Sequence, residues 1–208
     1  MPGDGAERLV VFLHGYGADG GDLIGIADTL AAHLPKTRFL APNAPQRCGA
    51  NPMGFQWFPI PWMDGSSEAD MHAGIATSVD LLHRYLDTLP RQEGIGPERT
   101  VLVGFSQGTM MSLHVGLRRG TAFAGIVGFS GRLLAADQLA DEIVTKPPVL
   151  LVHGDQDQVV PYSDMAAAEA GLRAAGVAVA THTSPGLGHG IGPDGLGVAL
   201  GFLSERLG

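Results

Sequence analysis

Thr100-Val-Leu-Val-Gly104-Phe-Ser106-Gln-Gly108-Thr-Met-Met-Ser-Leu-His-Val115 is the stretch on which the reading of this chain turns. Its first four residues are an apolar, β-rich run, and its last seven open a helical pattern. Between them lies G-x-S-x-G. In a chain with 31 glycines the pattern alone is weak; the strand before it and the helix after it give it weight. A strand that turns at once into a helix forces the residue at the corner into a strained backbone conformation, and small neighbours at 104 and 108 relieve the crowding. The Ser106 hydroxyl is then presented beyond the sheet edge at the positive end of a helix dipole, where negative charge on a substrate oxygen is stabilised. The bland alternative for Ser106 is a helix N-cap. Ser130, in Gly128-Phe-Ser-Gly131, lacks the second glycine at the right spacing and reads as a turn residue.

Outward from this segment, short β-rich runs recur at Leu9–Leu13, Thr37–Leu40, Gly125–Phe129, Val149–Val152 and Val177–His182. Helical periods separate them. Ile75, Val79, Leu82, Leu86 and Leu89 share one stripe, and Leu196, Leu200, Leu203 and Leu207 mark a closing amphipathic helix. Alternating strands and helices, with several continuously apolar strands, predict an α/β fold: a mostly parallel sheet covered by helices on both faces. In such sheets chemistry sits beyond the carboxyl ends of the strands. Glycine, proline and asparagine cluster there, at 14–21, 42–52, 104–108, 154–161 and 185–195.

The 208 residues, 45% hydrophobic and 16% charged, fit one domain spanning 1–208 with a sizeable core. A net charge of −8 argues against nucleic acid as a partner. Arg118 and Arg119 read as cations at a helix end. The lone Cys48 permits no internal disulfide, reads as an unreactive loop cysteine and fits a reducing cytoplasm. No signal peptide and no apolar run of membrane-spanning length is visible, so a cytoplasmic protein without stable membrane insertion is expected.

A serine nucleophile needs a base, and the base an orienting acid. Enzymes with this elbow carry the acid and then the base later in the chain. The loop after Val149–Val152 holds Asp155 and Asp157. Asp157 lies deeper and is the better candidate, while Asp155, next to Gly154, suits a turn cap. Of eight histidines, only His189, between Gly188 and Gly190, lies in a strand-following loop beyond the acid. His33, His72, His83 and His114 fall in helical stretches, and His153 and His182 at strand ends. After the first strand, Leu13-His-Gly-Tyr16-Gly-Ala-Asp19 supplies a glycine-rich loop. The backbone N–H groups of Tyr16 and Gln107 are the expected oxyanion donors. The irregular stretch at 42–68 holds Met53, Phe55, Trp57, Phe58, Ile60, Trp62 and Met63. Three roles are open for it: loop core, a subunit contact in a homodimer, or a substrate-binding wall in which Met53, Trp57 and Phe58 touch an acyl group. No metal or cofactor is called for. No large insertion follows Ser106, so no large cap domain and a shallow, open site are expected.

Together these segments resemble the phospholipase/carboxylesterase family, which includes bacterial carboxylesterases and acyl-protein thioesterases. The carriers are Leu13–Asp19, Ala-Pro-Asn-Ala-Pro at 41–45, Gly104–Gly108, His-Gly-Asp-Gln-Asp-Gln-Val-Val-Pro at 153–161, and Gly188-His-Gly190, in the family's order across nearly the whole chain. The resemblance implies an α/β-hydrolase fold and a Ser106–His189–Asp157 triad with Tyr16 and Gln107 as oxyanion donors. It implies a serine hydrolase cleaving small carboxylic esters or thioesters, with long-chain lysophospholipid or acyl-protein substrates as the alternative and a catalytically silent binding module as a remote one. Two departures stand out. The segment before Leu9 is short for the family's early edge strand, and the family's Trp-Phe-Asp stretch is Trp57-Phe58-Pro59 here.

Overall fold

A computed structural model describes residues 5–208. Six strands form the main sheet: β1 (Arg8–Leu13), β2 (Thr37–Leu40), β5 (Thr100–Phe105), β6 (Gly125–Phe129), β7 (Val149–Gly154) and β8 (Val179–Ser184). Their order is β2-β1-β5-β6-β7-β8, and every ladder is parallel. No described strand precedes β1. A two-residue antiparallel pair, β3 (Gln46–Arg47) and β4 (Phe55–Gln56), stands apart.

Strand alternation divides the core in two. From β1, Leu9, Val11 and Leu13 join one apolar cluster, and Val10 and Phe12 join the other. Against the first face pack α3 (Glu68–Glu93), α4 (Gln107–Gly116) and α6 (Ser163–Ala174). Against the second pack α1 (Gly20–Ala31) and α7 (Pro193–Leu207). The α3 stripe is as the period predicts: Leu82, Leu86 and Leu89 are buried, with Ile75 and Val79 at their margin. Ser67 and Asp70 form a capping box that starts this helix. In α7, Leu203 and Leu207 are buried, while Leu196 and Leu200 pack at the edge of the second cluster. Arg118 meets the end of α4, donating to the His114 carbonyl at 3.1 Å.

The expected strand positions hold, with one shift. The last strand starts at Val179 rather than Val177, because the Val177 N–H closes α6 on the Leu172 carbonyl and Gly176 turns the chain at φ 79°. Chain order reverses between β1 and β5, which are neighbours in the sheet although far apart in sequence. A crevice opens at such a switch point beyond the strand ends. The Gly15–Gly17 loop leaves β1 there, and Ser106 leaves β5 beside it.

Candidate active site

Ser106 has φ 54° and ψ −115°, one of four described non-glycine residues with positive φ. The corner is held from three sides. Ser106 N–H donates to the Phe129 carbonyl at 2.9 Å, and the Thr109 hydroxyl lies 2.8 Å from the carbonyls of both Gly104 and Phe129. A Cβ on Gly104 would lie 2.4 Å from the Gly108 backbone, and one on Gly108 would lie 1.7 Å from the Leu13 carbonyl oxygen. Both glycines are therefore dictated by backbone-to-backbone contact. Ser106 precedes α4, yet its hydroxyl makes no capping bond, which removes the N-cap reading.

The loop after β7 carries Asp157, whose side chain is fully buried. Its Oδ2 accepts His189 Nδ1–H at 2.8 Å, and its Oδ1 accepts the Val159 and Val160 amides at 2.9 Å each. Burial alone would raise this carboxyl's pKa. The His189 hydrogen bond and the two amides outweigh it and hold the group below the ordinary aspartate value. Asp155, the competing acid, instead accepts the Gly186 amide at 2.7 Å and ties the acid loop to the base loop. The end of β7 lies hard against that second loop: a Cβ on Gly154 would sit 2.2 Å from the Leu187 carbonyl oxygen.

The donation of Nδ1–H to Asp157 leaves His189 Nε2 with its lone pair free. The ring rests on Phe105, with centroids 4.8 Å apart. No hydrogen bond links the Ser106 hydroxyl to the ring in this structure; the two side chains line the same cavity.

Tyr16 and Gln107 flank Ser106 from the two switch-point loops, and neither amide donates to a described residue. Both loops are framed from below. His14 Nε2 accepts the Ala44 amide at 2.9 Å while Nδ1–H donates to the Gly15 carbonyl at 2.8 Å. Trp57 Nε1–H donates to the His14 carbonyl at 2.9 Å. The Gln107 carboxamide accepts the Trp57 amide at 3.0 Å and donates to the Phe58 carbonyl at 2.8 Å. The Tyr16 hydroxyl donates to Asp64 Oδ2 at 2.8 Å, anchoring the short α2 (Pro61–Asp64).

Beside Ser106 and His189 lies a cavity of about 780 Å³, walled by Phe58, Ile60, Trp62, Met71, Ile75 and Met110 among others. The lack of a cap led to the expectation of a shallow, open site, and the cavity nonetheless has this volume. Residues 60–63 and the first turns of α3 wall it on one side, and residues 132–138, with Arg132, complete it on the other. The aromatic stretch is divided among roles. Phe58 lines the cavity. Trp57, 2% exposed, is loop core beneath the Gly15–Gly17 loop, because its indole N–H and its backbone are both engaged there. Met53, 82% exposed at the hairpin tip, is not among the lining residues. Ser130 also differs from an ordinary turn residue. It is buried at φ 47°, with its hydroxyl 3.4 Å from the Gly190 carbonyl.

Two contributors escaped the sequence reading. His153, at the end of β7, is buried; its Nε2–H donates to the Val160 carbonyl at 2.9 Å and lies 3.2 Å from Asp157 Oδ2. Asp64, the partner of Tyr16, sits in the stretch that shows no period. Among the described residues no group of three or more His, Cys, Asp or Glu is placed to hold a metal ion. Nor is any described helix long and apolar enough to cross a membrane.

A parallel sheet with a strained serine at the strand–helix corner after β5, and an aspartate–histidine pair on the loops after β7 and β8, defines an α/β-hydrolase. The sequence profile of the phospholipase/carboxylesterase family matches residues 1–207, and the chain belongs to that family as a hydrolase of the carboxylesterase type. It is 33% identical to acyl-protein thioesterase 1 of Gibberella zeae, over 95% of this chain and 90% of that one. It is 28% identical to the esterase YpfH of Escherichia coli, over 97% and 84%. Among solved structures, esterase PE8 superposes with a TM-score of 0.93 at 44% identity, covering 100% of this chain and 97% of that one. Acyl-protein thioesterase 2 of Zea mays gives 0.78 at 26%, covering 100% and 97%.

Proposed function

We propose that the protein cleaves carboxylic esters or thioesters by two-step acyl transfer, with Ser106 as nucleophile, His189 as base and Asp157 as the acid that orients it. The observation that carries this reading is the 2.8 Å bond from His189 Nδ1–H to buried Asp157. It fixes the tautomer that leaves Nε2 free, on a ring that lines the same cavity as Ser106. His189 Nε2 takes the Ser106 proton as Oγ bonds to the carbonyl carbon, and the Tyr16 and Gln107 amides hold the resulting oxyanion. The bond to the leaving oxygen or sulfur then breaks as His189 returns the proton to that atom. A water, deprotonated by the same nitrogen, attacks the acyl-serine; the acyl–Oγ bond breaks as His189 returns the proton to Ser106 Oγ, and the acid departs.

Phe58, Ile60, Met71 and Ile75 supply an apolar wall for the acyl group. The cavity volume also favours a second reading, in which long acyl chains are accepted, as a thioesterase acting on acylated proteins requires. A cytoplasmic setting fits the single free thiol, Cys48, which is buried.

The test is turnover of p-nitrophenyl butyrate by wild type and Ser106→Ala, together with labelling by a fluorophosphonate. The expected results are a loss of about 10⁶-fold in kcat with folding intact, and label on Ser106 alone. Turnover that survives the substitution, or label on another residue, sinks the assignment. A series of acyl chain lengths, as oxygen esters and thioesters, separates the two readings.

A further inference from the structure

A second cavity, of about 260 Å³, shares Phe105 with the first and is walled by Gly15, Asp22, Leu23, Ile26 and Ile191. We propose that it receives the leaving group, and that it takes compact apolar alcohols or thiols, neutral or cationic, and turns away those bearing phosphate or carboxylate. This rests on the Ser106 chemistry proposed above and adds a specificity to it.

Its position follows from what each wall touches. Gly15 opens the groove next to the nucleophile: a Cβ there would lie 3.0 Å from the Phe105 ring and 3.3 Å from Ser106 Cβ. Ile191 closes it two residues beyond His189, whose ring lies on Phe105. General acid catalysis requires the departing atom within hydrogen-bond reach of His189 Nε2. The rest of the leaving group must therefore extend from the base side of Ser106, over Phe105. The larger cavity, with its long apolar wall, is left to the acyl chain.

The chemistry of the walls sets the class. Leu23, Ile26, Phe105 and Ile191 are apolar, and the volume equals on the order of nine water molecules. A group of similar heavy-atom count fits, such as a benzyl or choline moiety. The one acidic side chain in the lining is Asp22, and Asp19 adjoins it through the capping box of α1. Neither forms an ion pair with a described residue. No lysine or arginine lines the groove, and His14 offers no cation: both its ring nitrogens are engaged, and burial lowers its pKa. A phosphate placed there would meet the negative charge of Asp22 and Asp19, which backbone N–H groups of the capping box face but no cationic side chain neutralises.

The experiment holds the acid constant. Butyrate esters of ethanol, benzyl alcohol, choline and glycerol phosphate are compared by kcat/KM in wild type, Ile26→Trp, Ile26→Ala and Asp22→Asn, each checked for cooperative unfolding. Benzyl and choline esters are expected to exceed the glycerol phosphate ester at least about tenfold in wild type. Ile26→Trp should lower the benzyl-to-ethyl ratio by about tenfold, and Asp22→Asn should lower the choline-to-glycerol phosphate ratio several-fold. If Ile26→Trp does not fold, Ile26→Ala decides by raising the benzyl-to-ethyl ratio. Ratios that stay constant across the variants, or a wild type that prefers the phosphate ester, overturn the proposal while leaving Ser106 chemistry intact. Failure of wild type to hydrolyse even ethyl butyrate overturns the Ser106 reading and this one with it.

Discussion

The side-chain oxygen of Gln107 accepts the backbone N–H of Trp57 at 3.0 Å. The same carboxamide donates to the Phe58 carbonyl, so the residue that follows Ser106 clamps the strip from which the cavity wall grows. Gln107 is 1% exposed, and Gln107→Leu leaves an amide N–H and a carbonyl buried without partners. Each unpaired group costs about 1–3 kcal/mol. We expect a clear fall in Tm and about a tenfold fall in kcat as the Gln107 amide drifts from its aim. Gln107→Glu, which keeps the acceptor and loses the donor, should fall between. Thermal unfolding and steady-state kinetics on p-nitrophenyl butyrate measure both.

His153 is bonded to the loop that carries Asp157. Its Nε2–H holds the Val160 carbonyl, and the Val160 amide in turn donates to Asp157 Oδ1. His153→Leu removes the first bond and frees the acid loop to shift. We expect kcat to fall about tenfold with little change in KM, since no substrate contact is lost. The His189 Nδ1–H proton resonance should broaden or move upfield as its bond to Asp157 loosens. His153→Gln, which restores an N–H donor, should recover part of kcat. A variant that loses stability alone, with kcat intact, would assign His153 to the core.

The placement of Ser106, Asp157 and His189 beyond strand ends was legible because each lies in a glycine-bearing loop after a β-rich run, a pattern that fold physics ties to strand ends. The aromatic stretch was not legible in the same way. Trp57 and Phe58 are adjacent, yet one is loop core and the other cavity wall. What separates them is His14 and Gln107, 43 and 50 residues away in sequence. The β3–β4 hairpin has strands of two residues, too short to show a period. The size of the cavity was not legible for a related reason: residues from 60–63 and 132–138 line it without forming a cap that length alone would reveal. His153 looked like any strand-end histidine, because its importance lies in a carbonyl seven residues on.

The elbow glycines carry a prediction with a steep expected cost. Gly108→Ala would drive a Cβ to 1.7 Å from the Leu13 carbonyl oxygen, which belongs to the neighbouring central strand and is itself fully buried. Neither side can yield without parting α4 from β1. We expect a destabilisation above about 3 kcal/mol, or failure to accumulate folded protein. Gly197→Ala, where nothing lies within 4 Å of the new Cβ and the site is within α7, should instead raise stability by up to about 1 kcal/mol. Chemical denaturation of the two variants side by side tests the contrast.

Asp64 gives the region over the cavity a pH dependence of definite sign. Burial would raise its pKa, but the Ile60 and Ser66 amides and the Tyr16 hydroxyl, each hydrogen-bonded to the carboxylate, lower it from 3.8 to about 2. A folded-state value below the unfolded one contributes stability that is fully present above the unfolded value and is lost as pH falls toward the folded one. The relevant window is therefore pH about 4 down to about 2. The Tm advantage of wild type over Asp64→Asn should be constant from neutrality to about pH 5, shrink below pH 4 and be nearly gone at pH 2. Tyr16→Phe removes one of the three hydrogen-bond donors and should shrink the advantage at every pH in that range without abolishing it. A Tm difference between wild type and Asp64→Asn that is flat across pH 5 to 2 would mean that the Asp64 carboxylate is not held by these bonds, and that α2 is anchored by packing alone.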